Sequence, residues 1–399
     1  MSDQPSTRVL VLNSGSSSLK AAVYEIGSTE VCRISIEAGR IGAGDGRGQG
    51  HLRVRDERGV CLLDESRDLP DHHAALGPVL EWVRRGDAKS RPDVVGHRIV
   101  HGGSRFREPM VVTRELLAAL ASLMPMDPGH LPPALEGVRA VERAYPGIRQ
   151  VACFDTGFHR DMPWVARAYP LPPRVLGDEV FRYGFHGLSY EYVMGELRAQ
   201  AGDAARGRVV IAHLGNGASM AAIRDGRCVD TTMGFTPAGG LMMGTRSGDL
   251  DPGLLIYLQE QRGLAVDDLR TLINRQSGLL GVSGISADMR DLLEQEVRDP
   301  RAARAVELFC YQARKWLAAC VASLSGLDIL VFTAGIGQHS ATIRARICAG
   351  LEFLGIELDA ARNARHESLI STDASRAMVR VIRTNEELMV ARHASQLAR

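Results

Sequence analysis

The chain has 399 residues, a length that suggests two to three domains. With 45% hydrophobic and 24% charged residues, it is neither a fibrous nor a largely disordered chain. Lys+Arg (48) against Asp+Glu (47) leaves a net charge of +1, which excludes bulk attraction to nucleic acid or to an anionic membrane.

Three of the 48 basic residues, Lys20, Lys89 and Lys315, are lysines, so 45 are arginines. The planar guanidinium grips carboxylates and phosphates bidentately where an ammonium cannot, so the arginines inside motifs are the ones to follow. The seven cysteines are scattered without a Cys-x-x-Cys pair, the pattern of reduced thiols in a cytosol. The N-terminus shows no basic segment followed by an apolar one, and the uncharged stretch Trp316–Leu327 is too short to span a bilayer. The expectation is a soluble, cytoplasmic protein with no membrane or nucleic-acid partner.

In chain order, Val9–Leu12 is a strand that stops at a Gly/Ser turn (Asn13–Ser18), and Lys20–Tyr24 is a second strand. Gly39–Gly50 reads as a glycine-rich surface turn. Val79–Arg85 and Arg114–Leu123 are amphipathic helices, the second capped by Thr113. Pro125, Pro128, Pro132 and Pro133 forbid one regular element across that stretch. Val151–Phe154 and Val209–His213 are strands, the latter ending at Gly215-Asn216-Gly217. Leu254–Arg262, Asp267–Asn274 and Arg301–Leu324 are helical, Ile329–Thr333 is a strand running into Ala334-Gly335-Ile336-Gly337 with a helix after it, and Asn385–Leu397 is a closing helix.

One internal echo organises these elements. Leu12–Val23 resembles Leu214–Ile223, each reading strand, Gly/Asn/Ser turn, strand, as a duplicated α/β unit would. Neither turn is a Walker A loop, because each joins two strands rather than a strand and a helix. Glycine nonetheless lets backbone N–H groups and serine hydroxyls surround phosphate oxygens. Gly335 and Gly337, after the last apolar strand, leave room for a flat base or a ribose. Three such turns at strand ends point to a nucleotide.

Four polar residues stand at strand ends or between glycines, where loops bring side chains to ligands. They are Arg98 in HRIVHGG, Asp155 in FDTGFH, His186 in YGFHG and Arg246 in MGTRSGD. Two arginines, a histidine and a carboxylate suit phosphoryl transfer to a carboxylate acceptor. The acceptor and the nucleotide are both anions, and charge spreads over the equatorial oxygens as the group moves in line. A carboxylate nucleophile is already ionised at neutral pH and needs no general base. A hydroxyl-directed kinase, the alternative chemistry, would need an aspartate to accept the hydroxyl proton.

Asn13–Lys20 (NSGSSSLK), His97–Gly103 (HRIVHGG), Phe154–His159 (FDTGFH), Tyr183–Gly187 (YGFHG), His213–Ser219 (HLGNGAS), Gly234–Pro252, Thr333–Gly337 (TAGIG) and Thr384–Glu387 (TNEE) resemble the acetate kinase family, in family order over the whole chain. The resemblance implies a duplicated actin-like α/β fold with two lobes around a nucleotide cleft. Residues 1–155 with 385–399 would form the acyl-substrate lobe and its closing helix, and 156–384 the nucleotide-binding lobe. It implies a homodimer and a reversible transfer between ATP and acetate, dependent on Mg²⁺ (or Mn²⁺), that yields acetyl phosphate and ADP. Propionate and butyrate are the alternative substrates.

The resemblance also distributes roles. Asn13 and Glu386 would organise the metal. Arg98, Arg246, His186 and Asp155 would form the catalytic set, with Asp155 orienting the others. Arg98, Val100, Phe185, Pro237 and His130 would hold the acyl group. Lys20, His213, Asn216, Gly217, Asp288, Met289, Arg290, Gly335, Ile336 and Gly337 would contact the nucleotide. Three departures stand out. Gln338-His339 replaces a family Glu-Asn, removing one charge beside the ribose or base. Leu188-Ser189-Tyr190 replaces Thr-Ser-His, which bears on how His186 is placed. Gly129 stands where a Leu commonly lines the methyl pocket, leaving room for one or two more methylenes unless Leu131 fills it.

Overall fold

The structure, a computed structural model, describes residues 6–15, 18–42, 50–86 and 91–398. The glycine-rich turn expected over Gly39–Gly50 falls largely on residues 43–49, outside the described residues. The chain divides into two compact units, Met1–Gly157 with Asn385–Arg399, and Phe158–Thr384.

Among the described residues the first unit carries eight strands: β1 (Thr7–Ser14), β2 (Ser18–Ile26), β3 (Glu30–Gly39), β4 (Gly50–Asp56), β5 (Cys61–Arg67), β6 (Val94–Ile99), β7 (Met110–Val111) and β8 (Arg149–Phe154). They lie in the order β5-β4-β3-β2-β1-β6-β8-β7. β1 is the hinge of this order, antiparallel to β2 and parallel to β6. Because β1 has a strand on either side and is covered on both faces, it reads as a continuous apolar run, with Val9, Leu10, Val11 and Leu12 all buried. At the rim, β5 (CLLDESR) is exposed and charged, which blunts an open edge.

The second unit carries β9 (Arg208–Leu214), β10 (Ala218–Arg224), β11 (Arg227–Thr231), β12 (Ile329–Thr333) and β13 (Met378–Val381), in the order β11-β10-β9-β12-β13. β9 is antiparallel to β10 and parallel to β12, and β12 is parallel to β13. The first unit repeats this in β3-β2-β1-β6-β8, strand for strand and direction for direction. The echo between the two glycine turns is therefore a true duplication of a five-stranded α/β unit.

Helices cover the sheets. His72–Arg85 starts seven residues before the expected helix and has Pro78 inside it; Asp71 caps it, its carboxylate accepting from the Ala74 N–H. Burial of Ala75, Leu76, Val79, Leu80 and Val83 on one face holds it through the proline. Arg114–Ser122 is capped by Thr113 as expected, its hydroxyl accepting from the Leu116 N–H at 3.2 Å.

The proline-dense stretch contains a helix that the sequence reading passed over, Leu131–Ala144. Pro132 and Pro133 fall in its first turn, where the missing N–H groups have no intrahelical partner to lose. The terminal helix Glu386–Ala398 returns to the first unit and packs on β1, β6 and β8. Gly96 in β6 allows that approach, since a Cβ there would meet Val390 Cγ1 at 2.6 Å. Among the described residues no helix is long and apolar enough to cross a membrane.

Candidate active site

In the first unit the site is built at the ends of two parallel strands. β6 and β8 pair so that Arg98 lies beside Cys153 and Ile99 beside Phe154, which delivers Asp155 just past the sheet within reach of the Arg98 fork. Arg98 Nε donates to both Asp155 oxygens at 3.0 and 3.1 Å, and Nη2 donates to Oδ2 at 2.5 Å. Nη1 donates to Asn13 Oδ1 at 2.9 Å. Asp155 is buried and the Arg98 side chain is 16% exposed.

Burial works against the Arg98 charge, but Asp155 and Glu386 more than offset it and hold the guanidinium firmly protonated. Burial likewise pushes the Asp155 carboxyl above its ordinary range, opposed by the Arg98 charge and reinforced by Glu386. Arg98 has five N–H donors. Three are used in these bonds, and one on each Nη is not engaged among the described residues.

Around this pair stand the other expected residues of the unit. Asn13 faces the exposed Lys20 across the β1–β2 hairpin. Asn13 Nδ2 donates to Glu387 Oε1 at 3.2 Å, and Glu386 Oε2 lies 3.7 Å from Arg98 Nε. Val100 is buried directly after β6. His130 opens the helix Leu131–Ala144, and its Nδ1 sits 2.7 Å from the buried Asp127 carboxylate. Leu131 belongs to the core formed with Ile99, Leu116, Leu120, Leu135 and Phe154.

The second unit gathers a histidine-rich set with one arginine. His186 sits at the start of the helix Gly187–Ala201 with φ +59°. The turn before it is held by His159, whose Nε2 donates to the Phe185 carbonyl at 2.9 Å. The His159 ring also fills the space where Gly184 (φ +74°) lacks a side chain. Burial pushes the His159 pKa down to about 4, so it is neutral at physiological pH. The His186 ring stacks on His213 at 4.1 Å between centroids. Phe185 is fully buried. Arg246 Nη1 donates to the Pro237 carbonyl at 3.2 Å, which brings those two expected residues together.

The remaining expected residues fall into separate groups. Gly217 leaves its Cβ position 3.1 Å from His186 Nε2 and 3.6 Å from Arg246 Nη1. Asn216 packs on Gly244, where a Cβ would collide with its Oδ1. Asp288 and Arg290 bond each other at the start of the helix Met289–Gln295 (Nη2 to Oδ2, 2.6 Å), with Arg290 84% exposed. Met289 is buried. Gly335 and Ile336 begin the short helix Ala334–His339; Gly335 has open space where a Cβ would stand. Gly337 instead faces Phe332 and Ala212 of the sheet, where a Cβ would stand in ordinary contact at 3.4–3.6 Å.

Gln338 turns inward. With its amide oriented to satisfy both donors, its oxygen accepts from the Ala334 and Thr384 N–H groups at 3.1 Å. The residue at 338 therefore ties two turns together.

Sequence reasoning passed over several members of these clusters. Glu387 was visible only as the second acid of TNEE, and Asp127 only as the acid three residues before His130. Arg344, buried under Gly337, donates to the carbonyls of Gly337 and Gln338 and to Asn363; nothing in the sequence separates it from 44 other arginines. Among the described residues no group of three or more His, Cys, Asp or Glu side chains forms a metal cage. Asn13, Glu386 and Glu387 do suit a hard cation that keeps waters and shares its coordination with phosphates.

The acetokinase family model matches residues 8–392. The acetate kinase of Rhodopseudomonas palustris strain TIE-1 is 44% identical over 396 residues, 98% of each chain. The crystal structure of Porphyromonas gingivalis acetate kinase matches with a TM-score of 0.86 at 37% identity, covering 98% of this chain and 100% of that one. A propionate kinase from Francisella tularensis subsp. tularensis SCHU S4 matches with a TM-score of 0.90 at 32% identity, again over 98% and 100%.

Proposed function

We infer that this chain, which belongs to the acetokinase family, is an ATP-dependent kinase that transfers the γ-phosphoryl group to the carboxylate of acetate, reversibly and directly, giving acetyl phosphate and ADP. The observation that carries the reading is Arg98: a fork locked on a buried carboxylate, with one N–H on each Nη left over. That is what fixing an acyl carboxylate for in-line attack requires. Asp155 orients Arg98. His186 and Arg246 supply donors to the phosphoryl oxygens, whose charge grows in the transition state. Val100, His130, Phe185 and Pro237 are assigned to the acyl group.

The first unit is assigned chiefly to the acyl substrate and the second chiefly to the nucleotide, the exceptions being Phe185 and Pro237 of the second and Lys20 of the first. Lys20, His213, Asn216 and Gly217 are assigned to the phosphates, and Asp288, Met289, Arg290, Gly335, Ile336 and Gly337 to adenosine. Asn13 and Glu386, with Glu387, would hold a divalent cation, Mg²⁺ by the hardness of the donors. When bound, that ion supplies charge neutralisation on the phosphates.

Propionate is the second reading. Its support is Gly129, where nothing stands within 4 Å of a Cβ position, together with Leu131, which is committed to the core and does not replace a pocket leucine. We also assign the helix Pro252–Arg262 to pairing with a second copy, since it buries none of its residues and exposes Leu254, Ile256 and Tyr257. Sedimentation of the protein and of Ile256→Asp tests that pairing. The activity is tested by trapping the product with hydroxylamine in the presence of ATP, Mg²⁺ and acetate, propionate or butyrate. Hydroxamate from acetate is expected. Its absence with all three acids would refute the reading, and ATP consumption with a sugar but no trappable product would point to a hydroxyl-directed kinase.

A further inference from the structure

His186 does not stand alone. Its Nδ1 lies 2.8 Å from the Ser219 hydroxyl, and the Tyr190 hydroxyl lies 2.5 Å from the same oxygen. Ser219 and Tyr190 are both fully buried. The fold brings the three together through two elements. Tyr190 rises one helical turn after His186 in Gly187–Ala201, and its N–H donates to the His186 carbonyl. Ser219 lies on β10 directly opposite His213 of β9, so the imidazole of His186 rests at once on the His213 ring and on the Ser219 hydroxyl.

The direction of the two hydrogen bonds follows from counting protons. Burial pushes the Tyr190 phenol well above its ordinary value, so it stays protonated and can donate. Among the described residues Ser219 Oγ is its one hydrogen-bond partner. Were the serine to donate to Tyr190, the phenolic proton would be buried without an acceptor, the costly arrangement for a polar group. Tyr190 therefore donates to Ser219, and Ser219 spends its single proton on His186 Nδ1. A nitrogen that accepts carries a lone pair, so the ring proton is on Nε2. Nε2 is the nitrogen beside the Gly217 turn.

We propose that Tyr190 is a positioning residue for His186: through Ser219 it fixes the neutral tautomer protonated at Nε2, giving a standing hydrogen-bond donor for the oxygens of the transferred phosphoryl group. The inference rests on the phosphoryl-transfer reading for its purpose, but not for its geometry. It gives the hydroxyl at position 190, where the family resemblance leads one to expect a histidine, a definite task.

Long-range ¹H–¹⁵N correlation of the full-length protein carrying ¹⁵N-histidine reads the tautomer directly, with the His186 signals identified by their loss in His186→Gln. The expected result is an unprotonated Nδ1 and a protonated Nε2 in the parent, and loss of that single tautomer in Tyr190→Phe. In the hydroxamate assay Tyr190→Phe is expected to lower kcat by about 10- to 100-fold with KM for ATP and acetate within about twofold, by analogy with losing the partner that orients a metal-bound imidazole. Ser219→Ala should do the same. A parent His186 protonated at Nδ1 would overturn the proposal, and so would a Tyr190→Phe enzyme with unchanged tautomer and kcat. The spectra need no substrate. A failure of the acyl-kinase reading would show separately, as a parent enzyme that forms no hydroxamate.

Discussion

Arg98→Lys keeps the charge and removes the fork, so it isolates geometry from electrostatics. In the structure Arg98 spends Nε and Nη2 on Asp155 and Nη1 on Asn13, two directions set by one rigid plane. A lysine ammonium is a single point on a flexible stem and can keep only one of them well. A hydrogen bond to a charged group contributes about 1.5–3 kcal/mol. Losing the second bond to the carboxylate and the one to Asn13 therefore removes about 3 kcal/mol of positioning, of which the retained charge recovers little because Asp155 is buried. At 1.36 kcal/mol per factor of ten, kcat/KM for acetate should fall by about 100-fold or more. The assay is hydroxamate formation at saturating ATP, with circular dichroism and thermal unfolding to show that the fold persists. Arg98→Ala should be worse, because it also leaves Asp155 buried without a counter-charge. An Arg98→Lys enzyme within about threefold of the parent would refute the assignment of Arg98 to the acyl carboxylate.

Gly217→Ala places a methyl group 3.1 Å from His186 Nε2 without disturbing the core, so activity should fall by about tenfold or more while the unfolding temperature holds; normal turnover would separate that turn from the reaction. Gly129→Leu fills space that is open in the structure, and should lower kcat/KM for propionate relative to acetate by about tenfold, since a methylene is worth about 1–3 kcal/mol in a pocket; an unchanged ratio would move the acyl group elsewhere. Acid stability should reveal two buried imidazoles. His97 and His159, in different units, are each held down to about 4 by burial, against 6.5 when unfolded. Below 6.5 the unfolded chain binds protons that the folded one refuses, so stability present at pH 7 is lost as pH falls from about 6.5 to about 4, by about 3 kcal/mol per histidine. Urea unfolding at pH 7, 5.5 and 4.5 measures this; a His159→Gln variant with the parent's pH dependence would show that His159 is not held neutral.

The strands of the two sheet centres were legible because they are short apolar runs cut off by turns, as in Val9–Leu12, Val209–His213 and Ile329–Thr333. The outer strands β3, β4 and β5 were not. Half exposed, they interleave Arg33, Glu37, Arg53 and Asp64 with their apolar residues and carry no continuous run. The helix Leu131–Ala144 was hidden by its own start, since paired prolines read as a break unless their place in a first turn is known. At the site, residues flanked by glycine announced themselves, while their partners did not. Ser219 meets His186 only because the β9–β10 register sets it opposite His213, and Tyr190 meets Ser219 only because a helix folds back over that hairpin. Such contacts join positions 29 and 33 residues apart and leave no trace in local pattern.

The duplication sharpens what the arginine excess means. Each unit has the same central hairpin, and in each the penultimate residue of its first strand is one of the candidate site residues: Asn13 in β1 and His213 in β9. On that shared frame the two halves carry different side chains. The first concentrates full charges, Arg98 with Asp155, Glu386 and Glu387, in contacts that need a fork. In the second, beside Arg246, hydroxyl and imidazole groups seat His186, and their bonds have a direction. Elsewhere the fork often closes on a neighbouring acid in solvent, as Arg301 does on Asp299, where a lysine would serve nearly as well. An Arg-to-Lys exchange should therefore be tolerated at Arg301 and ruinous at Arg98. Burial and the number of directions that a guanidinium must satisfy decide which arginines matter.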